Sequence, residues 1–283
     1  SGTFGQFIFQ QKGINVEWMI TVRMLVSGSV LLLLSFASKS KDVWNIWKNK
    51  RYAFQLILFS ITGMLAVQYT YFAAIKYSNA ATATVLQYTG PVLIAAYLAF
   101  KQKKLPRLAE IIAIILAVLG TFLLVTHADI NTLSVSPMAF AMGIASAVAL
   151  AIYTLQPVQL LKKYSAVAVV GWGMFSGGIA FSFVKAPWHM AGVWDSSTYI
   201  AVSFIILPGT LAAFYMYLTA VKLIGGQKSS LLASAEPLSA TIIAVIWLNA
   251  PFAGLDYIGS LCIISTIFIL SYRRPVKDTA TVV

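Results

Sequence analysis

The sequence predicts an all-α integral membrane protein: ten transmembrane helices arranged as two inverted five-helix repeats. Three observations predict it. Hydrophobic residues make up 59% of the 283 positions and charged residues 10%, at a mean hydropathy of +0.83, whereas soluble domains carry about 25% charge. Apolar runs of spanning length recur from end to end, and crossing a bilayer takes about 20 residues. Finally, residues 71–91 align with residues 217–237 at matched lysine and proline positions.

Residues 1–11, SGTFGQFIFQQ, are too few to cross and lack the basic stretch that opens a signal peptide. They read as the second half of a spanning helix, truncated at its start. Further apolar runs follow at 16–37, 53–76, 79–100, 106–126, 136–161, 166–185, 197–222, 227–249 and 252–272. The breaks are too short for a soluble domain. The expected organisation is a first five-helix unit at 1–127, a second at 136–273 and a tail at 274–283.

Lysine and arginine set the orientation. With the amino terminus cytoplasmic, one side holds Lys39, Lys41, Lys48, Lys50, Arg51, Lys101, Lys103, Lys104, Arg107, Lys162, Lys163, Lys222, Lys228, Arg273, Arg274 and Lys277. The other side holds only Lys12, Lys76 and Lys185. That asymmetry follows the positive-inside rule and places both termini in the cytoplasm. It also accounts for the net charge of +12 without nucleic acid. Cys262 is the one cysteine, so no intrachain disulfide exists.

In the alignment of 71–91 with 217–237, Tyr71 meets Tyr217, Ala74 meets Ala220, Lys76 meets Lys222 and Pro91 meets Pro237; further on, Glu110 meets Asp256. Five segments per half is odd, so equivalent helices would run in opposite directions, as in many secondary transporters.

With two five-helix halves, an opening SGTF, Arg23 early in segment two and Glu236-Pro237 in segment nine, the chain resembles the EamA type of the drug/metabolite transporter superfamily. The resemblance covers essentially the whole chain. It implies a bacterial cytoplasmic-membrane exporter of amino acids, sugars or other small metabolites, with a central cavity between the halves.

Polar positions in the apolar runs are the candidate substrate-binding residues: Gln6 and Gln10 in segment one; Gln68 and Tyr71 in segment three; Thr84, Gln87 and Tyr88 in segment four; Tyr153 and Gln156 in segment six; Tyr215 in segment eight; Ser230 and Ser234 in segment nine. Thr84, Gln87, Tyr88 and Pro91 fall on one helical face. Polar stripes facing a bundle interior suit a solute path, although such groups also serve as packing glue between helices. Tyr77, Tyr164 and Tyr272 are expected as interface anchors. Pro91 and Pro237 each remove a backbone hydrogen bond and mark either static kinks or hinges.

Arg23 lies about 10 Å into its helix. Snorkelling to the outer surface is its expected state, with pairing to Glu236 or to a substrate carboxylate as the alternatives. Glu236 is the candidate coupling residue, since a charge at that depth costs roughly 2.5–3.5 kcal/mol and burial favours its proton-bearing form. A permanently paired, structural glutamate is the competing account.

Enzyme chemistry finds no support. His127 and His189 are isolated, GGQKSS lacks the glycine before lysine of a phosphate loop, and no ATP motif occurs. No metal or other cofactor is expected. The expected function is therefore secondary transport of a small polar metabolite such as an amino acid, with protons as a candidate coupling ion. A membrane scaffold or receptor subunit, and an uncoupled uniporter or channel, are the alternatives.

Overall fold

A computed structural model describes residues 1–37, 42–101, 108–126, 135–226 and 254–271, with Ser229, Ala233 and Ile246. Every regular element among the described residues is helical. Helix α1 (Gly2–Gln6) runs into a π turn at Phe7–Gln11, and α2 is Val16–Ala37. A short α3 (Asp42–Lys48) precedes α4 (Lys50–Phe59), a π turn at Ser60–Leu65 and α5 (Ala66–Tyr77). Next come α6 (Ala80–Gln87), α7 (Gly90–Lys101) and α8 (Leu108–Thr126). The rest of the chain gives α9 (Pro137–Leu155), α10 (Val158–Lys163), α11 (Ala166–Ser182) and α12 (Ser196–Ile206). A third π turn at Leu207–Ala212, α13 (Ala213–Ile224) and α14 (Gly254–Ser271) complete the described helices.

Five stretches are long and apolar enough to cross a membrane: Val16–Phe36, Lys50–Tyr77, Ala80–Lys101, Pro137–Lys163 and Ser196–Ile224. Shorter apolar helices lie at Ile111–Gly120, Ala166–Ser182 and Gly254–Thr266. The run expected at 227–249 falls almost wholly outside the described residues, and α3 has no counterpart among the expected segments. Phe54, Phe100, Leu108, Val118, Met216, Leu261 and Phe268 are exposed, as suits a bundle whose outer solvent is lipid.

The short connections work because a side-chain cap starts the next helix. Asn79 Oδ1 accepts from Thr82 N at 2.8 Å, separating α5 from α6 two residues after Tyr77. Asn49, Ser136, Ser165 and Asp195 cap α4, α9, α11 and α12 in the same way. Each satisfies a backbone N–H that would otherwise be left without a partner.

Close packing relies on glycine. A Cβ on Gly28 of α2 would lie 2.5 Å from the Phe175 backbone nitrogen of α11, and one on Gly178 would lie 3.0 Å from Leu25 N. On α8, a Cβ at Gly120 would sit 2.6 Å from the Gly259 carbonyl of α14. The pairs α2–α11 and α8–α14 are the most extensive contacts, followed by α5–α9. GWGMFSGG is thus a packing surface, since small residues let membrane helices approach.

Two loops meet at one end of the bundle. Lys12 Nζ pairs with Asp195 Oδ2 at 2.6 Å, and the Lys12 carbonyl accepts from Val193 N at 2.8 Å. Gly13 (φ 68°) and Gly192 (φ 90°) adopt left-handed backbone there, with the Gly192 Cβ position only 2.5 Å from the Lys12 oxygen. Trp18 Nε1 donates to Pro187 O at 2.7 Å and Thr21 Oγ1 to Lys185 O at 2.9 Å. The Trp18 and Trp194 rings meet edge to face. The lysine, joined by Ser197 and Thr198, holds the Asp195 carboxyl well below the usual carboxylate range.

The expected interface anchors divide. Tyr77 is exposed, whereas Tyr164 is buried against Tyr52, with ring centroids 5.6 Å apart. Its carbonyl accepts from Lys222 Nζ at 3.1 Å. Tyr164 is a core residue because the tight connection between α10 and α11 folds it inward; Tyr272 lies outside the described residues.

Candidate functional site

A cavity of about 440 Å³ opens between α2, α5, α9 and α13, within the usual range for small-molecule sites. Helix α2 contributes Arg23, α5 contributes Val67, Gln68 and Tyr71, and the end of α6 with the break after it contributes Gln87 and Tyr88. From later in the chain come Leu150 and Tyr153 of α9, Gly209 of the third π turn, and Phe214 and Tyr217 of α13. Ser229 and Ala233 line it on the side of segment nine.

Most of the wall is tied down. Thr84 Oγ1 gives its proton to Ala80 O at 2.6 Å, so the Tyr71 hydroxyl, 2.7 Å away, donates to it. Likewise Thr154 Oγ1 donates to Leu150 O at 2.8 Å and receives from the Tyr217 hydroxyl at 2.9 Å. Tyr88 reaches across to donate to Ala233 O at 2.6 Å. The Tyr153 ring lies parallel to Tyr217 at 5.5 Å and edge-on to Phe214 at 5.4 Å.

Two groups are not tied down. The Tyr153 hydroxyl and Arg23 Nη1 are buried without a hydrogen-bond partner among the described residues. Arg23 is only 3% exposed, which corrects the snorkelling expectation. Its Nε donates to Gln68 Oε1 and its guanidinium lies 4.2 Å over the Phe72 ring. An amide acceptor and an aromatic face compensate part of the burial, so the side chain turns inward.

Of the expected substrate-binding residues, Gln68, Tyr71, Gln87, Tyr88 and Tyr153 come together at the cavity. The remaining described ones do not line it. Gln6 Oε1 accepts from Ala80 N at 2.8 Å, and Gln10 Nε2 donates to Ser78 O at 2.8 Å, each joining segment one to the α5–α6 turn. Thr84 stands behind Tyr71, fully buried. Gln156 accepts from Thr62 Oγ1 at 3.1 Å, and Tyr215 packs on the core. Pro91 sits in the first turn of α7, just past a break at Tyr88 and Thr89. Ser230, Ser234, Glu236 and Pro237 lie outside the described residues.

The site also contains residues that polarity could not reveal, Leu150 and Phe214 among them. Tyr217 did carry a signal, because the repeat alignment pairs it with Tyr71.

The sequence profile of the EamA-like transporter family matches residues 2–126 and, a second time, residues 137–272. The chain belongs to the EamA-like transporter family. The family is part of the drug/metabolite transporter superfamily. An uncharacterized inner membrane transporter of Salmonella typhimurium, YicL, is 38% identical over 273 residues, covering 96% of this chain and 90% of that protein. Another relative is the uncharacterized transporter YetK of Bacillus subtilis, 24% identical over 91% of this chain and 78% of its own length. A solved crystal structure described only as that of a protein superposes with a TM-score of 0.65 at 18% identity, covering 90% of this chain and 87% of that one. At that identity the likeness concerns the fold. This EamA-like chain is a multi-pass membrane transporter.

Proposed function

We propose that the protein is a secondary transporter of the bacterial cytoplasmic membrane. It exports a small polar metabolite, such as an amino acid, by alternating access. The observation that carries this reading is the cavity itself, walled by Gln68, Tyr71 and Tyr88 from the first family match and by Tyr153, Phe214 and Tyr217 from the second. Binding between two halves is what rocking of one half against the other requires.

Other features support an inverted pair of five-helix repeats. The π turns at Ser60–Leu65 and Leu207–Ala212 correspond, to within one residue, under the alignment that pairs Tyr71 with Tyr217. Under the same alignment α2 packs on its counterpart α11, and α8 on α14. In the orientation favoured by the lysines and arginines, the Lys12–Asp195 junction closes the outer side. Tyr217, Ser229 and Ala233 then lie toward the cytoplasmic end.

Glu236 is the proposed coupling residue, holding a proton in one state and releasing it in the other. Uncoupled uniport is the second reading. It is favoured by one observation: among the described lining residues none is acidic. Transport of a metabolite panel into proteoliposomes, with and without a pH gradient, tests both. Accumulation driven by the gradient, lost in a folded Glu236→Gln protein, supports coupling; equilibration alone supports uniport. No movement of any solute overturns the transport reading.

A further inference from the structure

We propose that the cavity selects solutes carrying a single carboxylate, and that Arg23 receives it; this rests on the transport reading above. Buried polar groups are almost always paired, and an exception calls for an absent partner. Arg23 Nη1 is such an exception, on a side chain 3% exposed that lines the cavity. Among the described residues the sole ion pair is Lys12–Asp195, so no described carboxylate meets this guanidinium.

The surrounding contacts orient the group without saturating it. Gln68 Nε2 donates to Met64 O at 3.1 Å, which turns its oxygen toward Arg23 Nε. Phe72 covers one face of the guanidinium. Nη1 is left without a protein partner among the described residues, and a planar fork of donors suits a carboxylate. An arginine that served only to join α2 to α5 would gain nothing from leaving that nitrogen bare.

The remaining wall specifies what the carboxylate is attached to. Leu150, Tyr153, Phe214 and Tyr217 present apolar and aromatic surface. Neither lysine nor a second arginine lies among the described lining residues, so the described wall matches one negative charge and not two. The unpartnered Tyr153 hydroxyl offers one further hydrogen bond. The solute class is a small monocarboxylate with an apolar body.

Paired ligands test this on the full chain in nanodiscs: 3-phenylpropionate against 3-phenylpropionamide, and hexanoate against hexanamide, by calorimetric titration. The acid of each pair should bind wild type at least about tenfold more tightly than its amide, the difference made by a charge-assisted contact. Arg23→Gln should erase that ratio, and Arg23→Lys should keep part of it. Equal binding of acid and amide to wild type overturns the inference, as does a folded Arg23→Gln protein that still discriminates. If Arg23→Gln does not fold, the wild-type ratio together with Arg23→Lys decides. Should neither acid bind while neutral solutes cross proteoliposomes, the inference falls and the transport reading stands. If no solute binds or crosses, both fall.

Discussion

The junction of the two loops and the cavity wall use similar side chains to opposite ends. At the junction, Lys12, Asp195, Trp18 and Thr21 direct their polar atoms at partners across the interface. Trp194 Nε1 is the exception there, buried without one. At the cavity, Arg23 and Tyr153 keep a polar atom unmatched inside the protein, away from lipid. A buried group without a partner costs about 1–3 kcal/mol, and at the cavity two such atoms, on Arg23 and Tyr153, lie on lining residues. The junction, by contrast, ties two loops together and relies on backbone shape that glycine alone adopts easily.

The largest expected effect breaks the junction. Gly192→Val places a branched side chain at φ 90° with its Cβ 2.5 Å from the Lys12 oxygen. Left-handed strain of about 1–3 kcal/mol adds to overpacking of about 1–3 kcal/mol. The variant should lose most of its folded yield in size-exclusion chromatography; a wild-type profile would remove the case for a tight backbone crossing. Next comes Tyr71→Phe, which deletes the hydroxyl bonded to Thr84. It should lower stability by about 1 kcal/mol, the usual net worth of such a bond, read as a fall in thermal midpoint.

Asp195→Asn should act less, because asparagine still caps α12 and the side chain is half exposed. Its effect has a pH signature. The folded carboxyl is held below its ordinary value, so the ion pair's contribution is complete above the unfolded pKa of about 3.9. It fades only as pH falls below that value, through the folded pKa. The gap in midpoint between wild type and variant should therefore be flat from pH 5 to 8 and close in stronger acid. A gap that closes near pH 6 would mean another group is titrating. Added salt should narrow it as well.

The smallest stability effect sharpens the contrast most. Tyr153→Phe removes a hydroxyl that has no described partner, so the midpoint should stay the same or rise slightly, opposite in sign to Tyr71→Phe. Solute affinity should nevertheless fall. A clear loss of stability would mean the hydroxyl is satisfied in the solute-free protein.

The described part of the bundle was legible from the sequence because its spanning runs are long apolar stretches, several of them opened by a capping residue such as Asn79, Ser136 or Asp195. Observed helices begin and end within about three residues of the expected runs. The amphipathic α3, Asp42–Lys48, escaped because seven residues leave no spanning signal. The site was legible where polarity and lining coincide, as at Gln68, Tyr71 and Tyr88. A polar side chain can also serve a neighbouring helix end, as Gln6 does for Ala80. Helical spacing cannot distinguish those two uses. Arg23 was misjudged for another reason. Depth along a helix favours snorkelling, and the compensating Gln68 and Phe72 stand on a different helix.

The π turns bear on that misreading in a further way. A π turn holds one residue more than regular α-helix requires, and one residue is about 100° of rotation. The two ends of the same spanning segment are therefore out of phase. Before Ser60–Leu65, Phe54, Ile57 and Leu58 face outward; beyond it, Gln68 and Tyr71 face the cavity. The same offset separates Tyr199, Ile200 and Phe204 from Phe214 and Tyr217. Taking out Thr62 or Pro208 would swing each later side chain around its axis while leaving every cavity residue in place in the sequence. The chemistry presented to a solute is thus set partly by a count of residues, one extra in each of two helices.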